Sequence, residues 1–431
     1  MMYNIIKLFI KNYKKTVKMM KKMNRSLAKN EIVRFRHKVV FKIFRYFLWF
    51  FFVFRYHFQY KKYNLNKEGP FLIIGNHSCA IDPILMAYSF NFPIYYVSSE
   101  QIFNLGWITK TLKYLVSPIS KSKSLADIRT IKTIKKIINE KGSIGMFVEG
   151  NVPYNGENPH TPYAIGKLIK HLKIPVIIYN LQGLYFSNPR WSIYRKYGPT
   201  KGYIKRILFP SEIAKLTADE VYNIVIKELY VNAYQDQLKS KYRYRGKKRA
   251  EGLERFVFIC PKCHQIKTLI TKGHEIICLS CQAKATYLES GFLSSNDFEL
   301  TTLIEWDKMQ IDFYIKYLEN NEILIEDKVI WWDSIINPKK KLGKAVLRLD
   351  TNGLTLKTMD KEVFYSHHQI TQISIQGKHK LIVYIDDDKR WLLDGKDSFN
   401  PYQYLLTFQY YKLKNQGGNI NANNYRNFFG L

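Results

Sequence analysis

Acidic residues are scarce in this chain. Only 35 Asp and Glu stand against 68 Lys and Arg over 431 residues, a formal charge of +33. Charge this one-sided points to a phosphate-bearing partner, either nucleic acid or the anionic face of a membrane. AT-rich coding, which favours Lys, Asn, Ile, Tyr and Phe, is the alternative source of the excess. Long apolar runs are also missing. No stretch of about 18 apolar residues occurs, which excludes an ordinary membrane-spanning helix from the sequence. The apolar piece Ile5–Ile10 is short and is followed by Lys11, Lys14 and Lys15, so no signal peptide is expected. Cysteines number five, too few for the disulfide framework of a small secreted protein. No glycine-rich phosphate loop appears, so neither a nucleotide nor a magnesium requirement is expected. What is plentiful is apolar and aromatic residues, 46% and 15% of the chain, which excludes global disorder and suffices for two or three packed domains.

The pattern divides the chain into five regions. Residues 1–64 are basic and carry Phe47-Leu-Trp-Phe-Phe-Phe-Val-Phe54 between Arg45 and Arg55. Eight apolar residues cannot span a bilayer but can lie in its interface with the flanking cations on headgroups; the alternative is a core helix docked on the next domain. Residues 65–215 alternate strand-like and helix-like stretches. Phe71–Ile74, Ile94–Ser98, Ile144–Val148 and Pro175–Leu181 read as buried strands. Ser124 and Asp127 read as the cap of a helix with Ile128, Ile131, Ile134 and Ile138 on its apolar face, closed by Gly142, and Tyr163–Leu172 reads as another helix. Such alternation predicts an α/β domain with a largely parallel sheet. Residues 216–250 begin with the capping box Thr217–Glu220, predict a helix through about Leu238, and end in the basic stretch Lys239–Arg249. Residues 251–290 hold two C-x-x-C pairs. Residues 291–431 predict a β-rich domain, with a hairpin turn at Asn352-Gly353 and a closing helix over Tyr402–Leu413; strands closed by one helix resemble a pleckstrin-homology-like barrel.

The segment that carries chemistry is Gly75-Asn76-His77-Ser78-Cys79-Ala80-Ile81-Asp82-Pro83, placed where a buried strand turns into a helix. An imidazole titrates near working pH and suits a general base. A carboxylate on its other ring nitrogen fixes the tautomer and stabilises the imidazolium. His77 and Asp82, five residues apart, can meet this way. The spacing alone is better matched by a helix-start histidine and a first-turn Asp serving the helix dipole. The N-H-x-x-x-x-D-P string resembles the first signature of the glycerolipid acyltransferase family, which includes the lysophosphatidate acyltransferases. Phe147-Val148-Glu149-Gly150, about 70 residues downstream, resembles the family's F-P-E-G-T block, and Ile174-Pro175-Val176 resembles its fourth block. The resemblance covers roughly Leu65 to Leu208. It implies His77 as base, Asp82 as its orienting partner, and Asn76, Glu149 and Gly150 in substrate binding. It further implies direct attack of the activated hydroxyl of a lysophospholipid, foremost 1-acyl-glycerol-3-phosphate, on the thioester of acyl-carrier protein or acyl-CoA, without a catalytic cofactor. Backbone amides at the start of the helix after His77 are the expected oxyanion donors. Cys79 is expected to be a small buried residue, not a nucleophile.

Two departures from the family pattern stand out. Where its second block offers an Arg to the acceptor phosphate, this chain reads Ser117-Pro-Ile-Ser-Lys121-Ser-Lys123, so Lys121 or Lys123 is expected to serve as a point charge. Where the third block continues T-R, this chain has Asn151-Val152, and a second arginine is missing. These changes bear on the acceptor, not on the fold.

Cys260-Pro-Lys-Cys263 and Cys278-Leu-Ser-Cys281 can present four thiolates in a tetrahedron from two tight knuckles with a turn at Gly273 between them, the layout of a zinc ribbon with structural Zn. A redox dithiol and covalent haem attachment through Cys260-Pro-Lys-Cys263-His264 are the alternatives, and the second requires export. The partners expected are therefore membrane lipids, the acyl donor and the lysolipid, at the cytoplasmic face of the membrane. The competing reading is a zinc-ribbon nucleic-acid-binding protein, using Lys239–Arg249 with Tyr242 and Tyr244 interleaved; it leaves the His77 and Glu149 blocks unexplained.

Overall fold

The computed structural model describes residues 31–65, 69–99, 103, 107–121, 128–334, 339–386, 389–396 and 399–417. The expected cap residues Ser124 and Asp127, together with Lys123 and Ile5–Ile10, lie outside them. The chain enters through helix α1 (Phe35–Phe47) and a short π-helical turn (Phe50–Phe54). It then builds β1 (Phe58–Tyr60), β2 (Leu72–Gly75), α2 (Asp82–Ala87), β3 (Ile94–Ser99), α3 (Trp107–Val116), β4 (Ile119–Lys121), α4 (Ile128–Asn139), β5 (Ser143–Met146), α5 (Ala164–Leu172), β6 (Val176–Gln182), α6 (Leu184–Ser187) and β7 (Thr200–Leu208). The sheet runs in the order β1-β7-β6-β2-β5-β3-β4. The strands from β6 to β4 are parallel, and β7 returns antiparallel to β6. The α/β expectation holds. β2 and β6 are apolar without alternation because helices and loops cover both faces of the sheet: Leu72, Ile73, Ile74, Ile177 and Ile178 are fully buried.

The structure corrects two helix readings. In α4 the buried face is Thr130, Ile134 and Ile137, while Ile128 and Ile131 are exposed. Spacing located the helix but misplaced its inward stripe, because alternative apolar stripes overlap when Ile is this frequent. The helix expected from Thr217 through Leu238 is two helices. After α7 (Pro210–Lys215), α8 (Ala218–Leu229) starts at the reciprocal Thr217–Glu220 capping box, and α9 (Ala233–Ser240) starts anew where the Asn232 side chain accepts from the amides of Tyr234 and Gln235. A strong N-cap in mid-segment ended the first helix. At Gly142 a Cβ would lie 2.6 Å from Ile137 Cγ2 and 2.7 Å from Val33 Cγ2, so this closure needs glycine for space.

The cysteine region forms a four-stranded antiparallel sheet, β8 (Leu269–Lys272), β9 (Glu275–Cys278), β10 (Lys284–Tyr287) and β11 (Leu293–Ser294). An 18-residue helix, α10 (Leu303–Asn320), follows from a Thr302–Glu305 capping box, where the sequence reading had only β structure. The C-terminal strands are β12 (Leu324–Asp333), β13 (Lys340–Asp350), β14 (Gly353–Lys357), β15 (Glu362–Ser366), β16 (Ile370–Gln376), β17 (Lys380–Ile385) and β18 (Arg390–Asp394), ordered β15-β14-β13-β12-β18-β17-β16. The first strand β12 pairs with the last, β18, every neighbour is antiparallel, and α11 (Pro401–Asn415) packs on β16, giving the expected β-rich unit with a closing helix as a barrel-like sheet whose ends, β15 and β16, are not paired with each other among the described residues. Asn352-Gly353 turns as expected, with the Asp350 carboxylate accepting from both amides. One continuous buried cluster runs from Tyr185 and Trp191 through the cysteine sheet to α10 and the barrel. These regions therefore form one packed body with the α/β domain.

Candidate active site

In a parallel sheet the carboxyl ends of the strands share one edge, and ligands bind beyond it. The conserved direction of β2, β5, β3 and β4 brings His77, Glu149 and Lys121 to that edge from three separate stretches of sequence. His77 leaves the end of β2. Its Nδ1 lies 2.8 Å from Asp82 Oδ2, and Asp82 is completely buried at the first turn of α2. The same carboxylate oxygen accepts from the amides of Ser78 (2.5 Å) and Cys79 (2.9 Å), and Oδ1 accepts from the Cys79 thiol (3.0 Å). Asp82 therefore ties the whole 77–82 turn together while it holds the imidazole.

The His77 side chain keeps 20% of its surface exposed, and Nε2 has no hydrogen-bond partner among the described residues. Its ring stacks on Phe147 at 4.7 Å between centroids, and Phe147 stacks in turn on Tyr96 at 6.2 Å. Gly75 permits this: a Cβ there would stand 3.0 Å from the Phe147 ring. With Nδ1 committed to a carboxylate and the ring fixed from one side, the proton-accepting role falls to Nε2 at the surface.

The remaining expected residues divide into supports and candidates for contact. Asn76 is buried; its Oδ1 accepts from Leu181 N (2.7 Å) and its Nδ2 donates to Leu181 O (3.0 Å) and Ser78 Oγ (3.1 Å). Glu149 is fully buried; Oε2 accepts from His77 N (3.0 Å) and Oε1 from the Asn158 side chain. Burial pushes the Glu149 carboxyl well above its ordinary range, the bonds from His77 N and Asn158 oppose that, and the nearby Asp82 charge adds to it. Both residues, expected in substrate binding, have these polar atoms bonded within the protein, Glu149 to the His77 backbone and Asn76 to Leu181 and Ser78. Gly150 adopts φ +71° with open space where a Cβ would be. Lys121 ends β4, exposed, three strand positions from β2, which is ~14 Å at the usual spacing.

The expected oxyanion donors need correcting. α2 begins at Asp82, later than the sequence suggested, and the amides of His77, Ser78 and Cys79 all point to carboxylates of the protein. The reason is local: Asp82 caps its own turn, a use of the motif that spacing does not reveal. Cys79 behaves as expected. It is 2% exposed, and burial followed by the Asp82 charge pushes its thiol far from reactivity. Sequence reasoning missed Asn158, which bonds Glu149 and, through Oδ1, Val231 N at 2.6 Å. Its turn-rich surroundings gave no signal of that role.

The four cysteines of the second constellation converge. Cys260 Sγ lies 3.7 Å from Cys281 Sγ, and Cys263 Sγ lies 3.7 Å from Cys278 Sγ; all four fall within 4.8 Å of one another. Sulfur atoms on a tetrahedral ion with bonds of ~2.3 Å stand ~3.8 Å apart, so the cluster fits a tetrahedral metal. The two knuckles are alike. His264 and Gln282, each just after the second cysteine, take positive φ and donate their amides to Cys260 O (3.0 Å) and Cys278 O (3.0 Å). In the basic stretch 239–249, Tyr242 is half-buried against the core. Tyr244 is buried against Pro199, and Arg243 and Arg249 pair with Glu289.

Residues 57–178 match the family described as Acyltransferase. The chain is 26% identical over 132 residues to the 1-acyl-sn-glycerol-3-phosphate acyltransferase of Borreliella burgdorferi, covering 29% of this chain and 52% of that protein, so it spans about half the length of the curated relative. Among solved structures it is similar to the 1-acyl-sn-glycerophosphate acyltransferase of Thermotoga maritima, at 15% identity and a TM-score of 0.38, over 49% of this chain and 83% of the other. The stretch that matches contains the turn that holds His77 to Asp82, the Glu149 that bonds it and the strands that carry them, so the likeness to the Acyltransferase family lies where the site is built.

Proposed function

We propose that the protein transfers a fatty acyl group from a thioester, carried on acyl-carrier protein or coenzyme A, to the free hydroxyl of a lysophospholipid, foremost 1-acyl-glycerol-3-phosphate. The observation that carries this is the buried Asp82 carboxylate on His77 Nδ1 with Nε2 left free at the surface edge of the sheet. In that geometry Nε2 accepts the proton of the acceptor hydroxyl as its oxygen attacks the thioester carbonyl. The imidazolium formed is stabilised by Asp82, and the proton passes to the sulfur as the thiolate leaves. Glu149 and Asn76 keep the backbone of His77 from moving during this exchange.

Lipid access is supplied by the entry segment. Phe47, Trp49, Phe50, Phe51 and Phe54 are exposed, only Val53 of the turn is buried, and no described helix is long and apolar enough to cross a membrane. We read the segment as an interfacial anchor on an anionic, cytoplasmic membrane face. Zinc is the metal that four thiolates at these separations suit best, in a closed structural site with no open position for chemistry.

The test is transfer from labelled acyl-carrier protein and acyl-CoA to a panel of lysolipids, with wild type beside His77→Ala. Activity that vanishes in the variant while its unfolding temperature holds supports class and site together. Activity that survives in the variant, or no transfer by wild type to any lysolipid, refutes the reading.

A further inference from the structure

A cavity of about 740 Å³ lies between the α/β domain and the C-terminal barrel, inside the size range of small-molecule sites. One wall is the loop 151–161 that follows Glu149-Gly150; the opposite wall is β16 and α11. Its lining mixes chemistries. Leu229 of α8 and Leu405 and Phe408 of α11 are apolar, while Glu157, Asp307 and Lys412 are charged. Arg190 lines it too; its Nη1 donates to Val152 O (3.2 Å) and Nη2 to Ile375 O (2.7 Å), with the guanidinium 4.6 Å from the Tyr154 ring centroid.

Arg190 thus bridges the two domains through backbone carbonyls. It makes no ion pair among the described residues, and N–H donors remain over. The walls also hold unsatisfied polar atoms: Ser374 Oγ, Gln409 Oε1 and Tyr154 OH are buried without a hydrogen-bond partner. Unsatisfied buried polar groups are costly and are rarely left so in native structures, unless a ligand or water completes them. The two lining carboxylates are already partnered, Glu157 by Tyr230 OH and Asp307 by Tyr402 OH, so a cation without an ion pair, orphaned hydroxyls and apolar side chains in one cavity suit a molecule with an anionic head and a hydrocarbon tail. The cavity is separate from the space at His77, where the adjoining void measures about 10 Å³, room for roughly one water. Pro153 and Asn158 form the wall between the two, and Asn158 is the residue that braces Glu149.

We propose that this interdomain cavity binds a single-chain anionic amphiphile, a fatty acid or a lysolipid phosphate, with Arg190 holding the head and Leu405 and Phe408 receiving the chain. The site goes beyond the acyl-transfer reading and does not depend on it.

Equilibrium dialysis of the full-length chain with radiolabelled oleate, 1-oleoyl-lysophosphatidate and neutral 1-oleoylglycerol, all below their micelle concentrations, tests it. Wild type is expected to bind one oleate per chain at this site, with lysophosphatidate competing for it apart from any bound as acceptor at the His77 site, and the tighter of the two here identifies carboxylate or phosphate as the head. Arg190→Gln should weaken oleate about tenfold or more and leave the neutral ligand unchanged, since it removes the charged partner of the head. Leu405→Trp should remove binding of oleate and of 1-oleoylglycerol, and His77→Ala should bind oleate as wild type does. No wild-type binding, or anionic binding indifferent to both Arg190→Gln and Leu405→Trp, overturns the proposal. If either variant fails to fold, wild type is labelled with a diazirine-bearing fatty acid. Label on segments 151–161, 371–375 or 402–412 supports the site, and label confined elsewhere overturns it. Failure of acyl transfer with Arg190-dependent binding intact would count against the catalytic reading alone.

Discussion

Asp82→Asn separates the two duties of the buried carboxylate. In the native turn Oδ2 accepts from His77 Nδ1, Ser78 N and Cys79 N, while Oδ1 takes only the Cys79 thiol. An asparagine with its carbonyl at the Oδ2 position and its amide toward Cys79 Sγ keeps the backbone bonds in shape but loses the negative charge. Charge-assisted bonds are about twice as strong as neutral ones, so the fold should lose on the order of 1–2 kcal/mol. The chemistry should lose more, because the imidazolium formed at His77 then has no counter-charge; a fall in kcat of roughly 10²–10⁴ is expected with KM changed only a few-fold. Asp82→Ala is the harsher control. It orphans two buried amides at about 1–3 kcal/mol each, on the order of 2–6 kcal/mol in all, out of a total stability of about 5–15 kcal/mol. Initial rates against lysolipid concentration, with urea unfolding of each variant, read both quantities. An Asp82→Asn enzyme that unfolds like wild type and keeps kcat within twofold would show that Asp82 only caps its turn, and the dyad argument would fail.

Other consequences follow from the same geometry. Glu149 has a folded-state pKa raised above its ordinary value of 4.5, so the folded state holds that proton more tightly. Its contribution to stability is full below about pH 4.5 and is lost as pH rises through the folded value. Urea unfolding across that range should show wild type losing stability relative to Glu149→Gln, and parallel curves would contradict the assignment. His37, buried beside Tyr95 with its pKa lowered to about 4 by burial and then by Arg36 and Arg34, works in the opposite sense. Its contribution is present above pH 6.5 and is lost as pH falls toward 4, a loss that His37→Gln should abolish in acid-unfolding curves. Cys263→Ser should lower the protein's zinc content by elemental analysis and lower the melting temperature, because the thiolate cluster sits in the same buried body as α10 and the barrel. A metal-free wild type of equal stability would remove the metal site. Replacing Phe50, Phe51 and Phe54 with Ser should cut flotation with anionic vesicles, each ring contributing on the order of 1–2 kcal/mol in the interface; flotation that persists undiminished would dissociate the aromatic turn from lipid.

The local code of the chain was legible wherever short-range physics decides the outcome. Apolar runs at Leu72–Gly75 and Val176–Gln182 could only be buried strands, the Thr217–Glu220 box started its helix at the expected residue, and paired C-x-x-C knuckles needed only a hairpin between them to converge. The His77–Asp82 pair was not legible from spacing, which suited a helix-dipole Asp as well; the resemblance of the N-H-x-x-x-x-D-P string pointed to it, and the fold brings Nδ1 to 2.8 Å from the carboxylate. Tertiary structure alone decided what lies far apart in sequence. It gave Glu149 and Asn76 their partners within the protein, because the order of parallel strands sets β5 and β6 on either side of β2. It consumed the amides of the 77–79 turn on carboxylates, and it enclosed a cavity between the 151–161 loop and a barrel some two hundred residues later in the chain. No spacing rule reaches across such separations. Periodicity reports which face of an element is apolar, while the partner that face meets, and the atoms left unpaired when it does, are fixed only when the whole chain packs.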